Sequence, residues 1–303
     1  MTRQVTVATT QMHCTWNVEE NIARAEGLVR AACAQGAQIV LLQELFMTPY
    51  FCIDQDMRHL AIAQPADDSP LIRHFQALAK ELGVVLPLSF FEKAHHAYFN
   101  SLVVIDADGS ALDVYRKTQI PNDFGYQEKQ YFTPGDTGYR VWDTKVGRIG
   151  VGICWDQWFP ETQRSLALMG AELIFHPTAI GSEPGEGVQD YDSQGHWTRV
   201  QQGAAGANMT PVIAANRIGT EESKFTKGLN MTFYGSSFIA DQTGALVAQA
   251  DRTTEGVHVH TFDLDAIAQQ RDWWGIFRDR RPEMYGAIAT SDGKHTFSTT
   301  KGQ

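Results

Sequence analysis

S-L-V-V-I-D-A-D-G-S-A-L-D-V-Y-R-K, residues 101–117, is the stretch whose reading decides the fold. Runs rich in β-branched residues flank Asp108-Gly109, a dipeptide suited to a tight hairpin turn. A second stretch, S-F-I-A-D-Q-T-G-A-L-V-A-Q-A at 237–250, repeats the plan with its turn at Thr243-Gly244. Around these hairpins, strands and helices alternate. Gln4–Thr10 reads as a short buried strand. Asn17-Val-Glu-Glu20 is a capping-box pattern, and Ile22, Ala25, Leu28, Val29 and Ala32 follow at helical spacing. Ile39–Leu42 is an apolar strand. Ser69-Pro70 opens a helix striped by Leu71, Phe75, Leu78, Ala79 and Leu82 and stopped by Gly83, with strand Val84–Phe91 beyond it. Farther on come strand Arg148–Ile153, helix Pro160–Gly170, strand Leu173–His176, a helix within 193–207, strands Pro211–Ala215 and Gly256–Phe262, and a short helix after Asp263.

Hairpins that interrupt a strand–helix alternation exclude a simple doubly wound sheet or barrel. The expected fold is α/β of the α+β type, with two mixed sheets face to face and helices outside each. The likeness of the hairpins suggests two halves of related design. No composition break or linker divides the chain. Residues 1–290 are therefore expected to form one domain, and 291–303 a polar tail that is loose or used in assembly.

The 303 residues, 43% of them hydrophobic, are enough for a sizeable core. The net charge of −10 argues against a nucleic-acid or anionic-membrane partner and favours a cationic or neutral ligand. Cys14, Cys33, Cys52 and Cys154 are scattered, with no C-x-x-C pair, so neither a zinc ribbon nor a disulfide framework is indicated. Free thiols, an N-terminus without an apolar signal core, and no apolar run near the roughly 18 residues of a membrane span lead to the expectation of a cytoplasmic protein.

Chemistry centres on G-R-I-G-V-G-I-C-W-D-Q-W-F-P-E, residues 147–161. Ile149, Val151 and Ile153 alternate with Gly150 and Gly152, a strand that something approaches closely. Pro160-Glu161 starts a helix. Cys154 then sits on a strand-to-helix turn, where a side chain is pushed into a cleft and the next backbone N–H, that of Trp155, faces a developing oxyanion. A helix N-terminus nearby is expected to lower the thiol pKa. Taken alone, the position reads first as a buried structural cysteine. Cys33 is of that kind, on a helix's apolar face, and Cys14 and Cys52 read as bystanders.

A thiol nucleophile needs a base and an electrostatic stabiliser. None of the ten histidines stands out: His258 and His260 share a strand face without a third metal ligand, and His176 ends a strand that could border a cleft. Glu44, in L-L-Q-E-L-F at a buried strand's end, is placed to take a proton, or simply begins a loop. Lys117 ends the first hairpin as a cation near the cleft, or as a solvated strand end. A nucleotide-binding reading of G-R-I-G-V-G fails, because these glycines lie before and inside a strand with no helix following them.

Glu44 in LLQELF, Lys117 in YRK and Cys154 in GICWDQWFPE, in that chain order, resemble the nitrilase (carbon–nitrogen hydrolase) superfamily over roughly residues 4–290. P-G-D-T-G at Pro134–Gly138 also matches, as does Glu128 in YQEKQYF, which aligns with a second glutamate near that superfamily's active sites. The resemblance implies a four-layer αββα sandwich, a catalytic Glu-Lys-Cys triad, no metal or organic cofactor, and a homo-oligomer built from dimers. LLQELFMTPYFC, ICWDQWFPE and HPTAIGSEPG (176–185) are similar to the branch that hydrolyses N-carbamoylputrescine to putrescine, ammonia and carbon dioxide. The loop from Gln119 to Phe124 departs from that branch, which has H-I-P-D-G-P-G-Y where this chain has Q-I-P-N-D-F-G-Y.

For a cationic ureido substrate, Glu183 is the expected anchor of the distal ammonium, with Tyr50 and Trp155 as wall residues along the carbon chain. The alternatives are another amidase of the superfamily, such as a β-ureidopropionase-like enzyme, an ω-amidase or an aliphatic amidase, and, in a different class, a non-catalytic small-molecule binding module. An intact Glu44, Lys117 and Cys154 argues against the last.

Overall fold

The computed structural model describes residues 2–182 and 192–294. After strand β1 (Gln4–Gln11), helix α1 (Val18–Ala34) begins where its cap dictates, Asn17 accepting from the Glu20 N–H. The reciprocal half of the capping box is replaced, because Thr15 Oγ1 takes the Asn17 N–H. Strand β2 (Ile39–Leu41) follows. Helix α2 (Pro70–Leu82) is capped by Ser69, starts on Pro70, and stops at Gly83, whose φ of +65° suits a residue without a side chain. Next come β3 (Leu86–Ala94), β4 (Ala97–Ile105) and β5 (Ala111–Arg116), the last two forming the first hairpin, with Gly109 at φ +85° in its turn.

The second half holds β6 (Val141–Asp143), β7 (Arg148–Val151), α3 (Pro160–Leu168), β8 (Leu173–Pro177), β9 (Gly181–Ser182), α4 (Gln194–Asn208) and β10 (Val212–Ala215). It continues with β11 (Ile218–Glu222), β12 (Asn230–Tyr234), β13 (Phe238–Ala240), β14 (Leu246–Gln249), β15 (Gly256–Asp263) and α5 (Leu264–Trp274). The β9–β12–β11 ribbon was not expected from the sequence. I-G-T-E-E carries too few apolar residues to mark a strand, whereas in N-M-T-F-Y the alternation of Met231 and Phe233 with polar neighbours was an available signal.

One sheet runs β15-β1-β2 and joins β3-β4-β5 through a parallel bridge between Ile39 and Val85. The other runs β6-β7-β8-β10-β13-β14. The pairing sequence is the same in both: one antiparallel step, two parallel steps, then two antiparallel steps. Each sheet thus ends in one of the two matching hairpins, which is the shared design of the halves.

Period-two alternation builds the layers. In β8, Leu173 and Phe175 face the other sheet, meeting Val7, Ile39 and Leu41, while Ile174 faces outward. Outside the first sheet lie Ala25 and Val29 of α1 and Leu71 and Phe75 of α2, packed on Ala8, Val40 and Leu88. Outside the second lie Leu166 of α3 and Trp197 and Ala205 of α4, packed on Ile174, Val212 and Phe238. The order is helix, sheet, sheet, helix, the αββα sandwich. The chain divides into two compact units, Met1–Ile267, which contains both sheets, and Ala268–Gln303, in which Trp273, Trp274, Met284 and Ile288 are exposed. Residues 295–303 of the expected tail lie outside the described residues. No described helix is long and apolar enough to cross a membrane.

Candidate active site

Three strands of the two facing sheets deliver the site from their C-terminal ends. Lys117 directly follows β5, Glu44 comes three residues after β2, and Cys154 three after β7. Two of these positions turn sharply. Cys154 has φ +44° and Leu45, directly after Glu44, has φ +50°, values that L-residues seldom adopt without a structural reason. Cys154 opens a 3-10 turn, 154–158, that leads into α3. The glycines before it are filled by protein. A Cβ at Gly152 would lie 3.0 Å from Thr162 Cγ2 and 3.1 Å from His176 Cε1. His176 is buried, its Nδ1 2.7 Å from the Gly152 carbonyl, so it braces the turn from behind and does not border a cleft.

Lys117 is the hub. Its Nζ lies 3.0 Å from Glu44 Oε1 and 2.9 and 2.7 Å from the two oxygens of Glu128, and all three side chains are fully buried. Asn100 Nδ2 donates to Glu44 Oε1 at 2.6 Å, and the Tyr50 hydroxyl donates to Glu128 Oε1 at 2.6 Å. Glu44 Oε2 is buried and has no hydrogen-bond partner among the described residues, which leaves one carboxylate oxygen free to accept a proton. Cys154 Sγ lies 3.7 Å from the Ala179 carbonyl. The Pro134–Gly138 motif has a packing reason. The Gly135 N–H donates to the Lys117 carbonyl at 2.8 Å, and a Cβ there would sit 2.1 Å from the Arg116 carbonyl oxygen.

Burial alone would push the Lys117 ammonium down, but Glu128 and Glu44 outweigh it and hold its pKa well above the usual lysine value. Burial and the Glu44 charge push the Cys154 thiol well above its ordinary value, against the pull of Lys117. The lowered thiol expected from a helix N-terminus is therefore not found, because desolvation and an adjacent carboxylate are the larger effects. Burial also raises Glu128 to about 7, with Lys117 opposing and Glu44 assisting.

The Glu128 shift has a measurable sign. Between the ordinary carboxylate value of 4.5 and about 7, the folded state holds a proton that the unfolded state has released. Its contribution to stability therefore falls as pH rises through that window. Glu128→Gln removes the ionisation, so its melting temperature should decline less steeply than wild type from pH 4.5 to 7. Parallel pH profiles would contradict this.

Of the residues expected at the site, Glu44, Lys117, Glu128 and Tyr50 are joined by direct hydrogen bonds, and Cys154 is their electrostatic neighbour. Trp155 is 39% exposed, its indole beside Trp158 and Phe159 rather than on the buried network. Glu183 lies outside the described residues. Sequence reasoning missed Asn100, whose polarity inside an apolar hairpin strand was the available signal, and the brace behind Glu44. There Arg217, fully buried, donates to the Glu44 and Leu45 carbonyls at 2.8 and 3.0 Å and pairs with Glu221. Glu221 in turn accepts from the Tyr50 N–H at 2.6 Å. Among the described residues, no group of three or more His, Cys, Asp or Glu is arranged to hold a metal.

A buried thiol, a carboxylate with an open oxygen and an ammonium thus meet at the ends of strands from the two sheets. The chain matches the carbon–nitrogen hydrolase family over residues 6–272, and it belongs to that family, a hydrolase acting on C–N bonds. It is 53% identical to an N-carbamoylputrescine amidase of Arabidopsis thaliana, over 96% of this chain and 97% of that one. A citrullinase of Francisella tularensis is 49% identical over 94% of this chain and 98% of its own. A carbon–nitrogen hydrolase from Helicobacter pylori superposes with a TM-score of 0.89 at 35% identity, covering 95% of this chain and 99% of that structure.

Proposed function

We propose that this enzyme hydrolyses the ureido C–N bond of N-carbamoylputrescine, releasing putrescine, ammonia and carbon dioxide. The observation that carries the reaction class is the open Glu44 oxygen beside a buried thiol, with Lys117 fixed between two carboxylates. Because the thiol rests neutral, Glu44 takes its proton as sulfur attacks the ureido carbonyl carbon. Lys117 and the Trp155 backbone N–H stabilise the oxyanion. The intermediate collapses, ammonia leaves with the proton that Glu44 returns, and a carbamoyl thioester remains on Cys154. Glu44 then deprotonates water, which displaces the thiol. The carbamate product loses carbon dioxide to give the amine. Glu128, hydrogen-bonded to Lys117 and Tyr50, holds the ammonium in place.

The substrate assignment draws on the 53% identity to an amidase of that name and on the acidic chain, which suits a cationic ligand. Glu183 is the proposed ammonium anchor, and the enzyme is proposed to work as a cytoplasmic homo-oligomer. A second reading, citrulline as substrate, is favoured by the 49% identity to a citrullinase. Citrulline carries the same ureido group but adds a carboxylate at the far end. Ammonia release should be measured from N-carbamoylputrescine, citrulline, N-carbamoyl-β-alanine, a glutamine-type amide and a simple nitrile. The expected result is the highest kcat/KM on N-carbamoylputrescine. Preference for citrulline would transfer the assignment, and preference for any of the other three would overturn it.

A further inference from the structure

We infer that Asp156 is a positioning residue that sets the distance between Cys154 and Lys117. Its carboxylate is fully buried and bridges the two elements that carry them. Oδ2 accepts from the Ile153 N–H at 2.9 Å, directly before the nucleophile. Oδ2 also accepts from the Tyr115 hydroxyl at 2.7 Å, and Oδ1 from the Gln119 N–H at 2.8 Å, so the carboxylate grips residues two before and two after Lys117. Three donors on one buried carboxylate are more than a turn of five residues needs for its own closure. Two of them come from the opposite sheet's hairpin, 37 and 41 positions away.

The consequence is geometric. Cys154 has a left-handed backbone that the local chain does not favour. Asp156 holds the peptide before it, and through the same carboxylate ties that peptide to the hairpin end bearing the ammonium. Burial raises Asp156 to about 6, with the Gln119, Tyr115 and Ile153 donors opposing the rise, so near neutrality most of it is the acceptor these donors need. Asn at this position keeps the shape but turns an N–H toward one of the three donors.

The inference rests on the reading of Cys154 as nucleophile, which Cys154→Ala tests separately. Asp156→Asn and Tyr115→Phe should be assayed for kcat, KM and melting temperature with N-carbamoylputrescine, or with the best substrate of the panel above. Asp156→Asn is expected to lower kcat about 100-fold, the effect of an ångström-scale misplacement, with KM within about threefold of wild type. Folded Asp156→Asn with wild-type kcat, or a loss confined to KM or to melting temperature, would overturn the proposal. If Asp156→Asn fails to fold, Tyr115→Phe decides. Loss of its one donor should lower kcat about tenfold at constant KM, and an unchanged kcat overturns the proposal. An active Cys154→Ala enzyme would instead remove the nucleophile reading itself.

Discussion

Cys154→Ala should abolish ammonia release, by more than about 10⁴-fold, while the fold survives. In the proposed mechanism the Cys154 sulfur forms the covalent intermediate, and alanine has no atom to replace it. The structural contribution of the sulfur is small, a long contact from Sγ to the Ala179 carbonyl at 3.7 Å. Alanine tolerates the φ of +44° about as well as cysteine does, because the steric cost there comes from the Cβ that both residues carry. The change in stability is therefore expected to stay within about 1 kcal/mol. Melting temperature and ammonia release on one preparation check both halves. Iodoacetamide followed by peptide mass analysis adds a third reading. Burial raises the thiols of Cys14, Cys52 and Cys154 alike, so alkylation of Cys154 ahead of the other two, the expected result, would report proton transfer to Glu44 rather than exposure. Near-normal turnover by the alanine variant would end the assignment.

The layers of this fold were legible because they follow from short-range rules. The apolar run of β8, buried on both faces, marks an inner strand, the helical stripe of α2 points one face at a core, and the two hairpins ruled out simpler α/β orders. The candidate site residues were legible only in combination. Glu44, Lys117 and Cys154 lie 37 to 110 positions apart along the chain and meet through the pairing of β2, β5 and β7 ends in facing sheets, which no local pattern encodes. The electrostatics were read with the wrong balance. A helix start near a thiol lowers its pKa in water-exposed settings, but here the thiol is buried beside Glu44, and that environment is built by residues distant in sequence. Asn100, Asp156 and the Arg217–Glu221 pair stayed hidden for the same reason: each is a polar residue whose partners are set only by tertiary contacts.

Lys117→Met should lower both activity and stability, and the stability loss should shrink in acid. Methionine nearly matches the lysine stem, so packing changes little. What disappears is the one cation that Glu44 and Glu128 share, each within 3.0 Å of Nζ. Two buried carboxylates are then left without their shared cation, and one of them should take up a proton at neutral pH. Breaking a buried ion group in this way costs about 3–5 kcal/mol. Catalysis loses an oxyanion donor, about 10²–10³-fold by itself, and any proton that settles on Glu44 removes the base as well. The wild-type lysine is a constant cation across the neutral range. Its pKa is raised well above 10.5, so its contribution is fully present below that value and is lost only as pH rises beyond it. The pH dependence of the difference between variant and wild type from pH 5.5 to 8 is therefore carried by the carboxylates. Protonation at low pH relieves their repulsion in the variant, so its deficit in urea unfolding should be smaller at pH 5.5 than at pH 8. A deficit independent of pH would mean that the two carboxylates are not coupled through Lys117, and the role of Glu128 in holding the ammonium would fall with it.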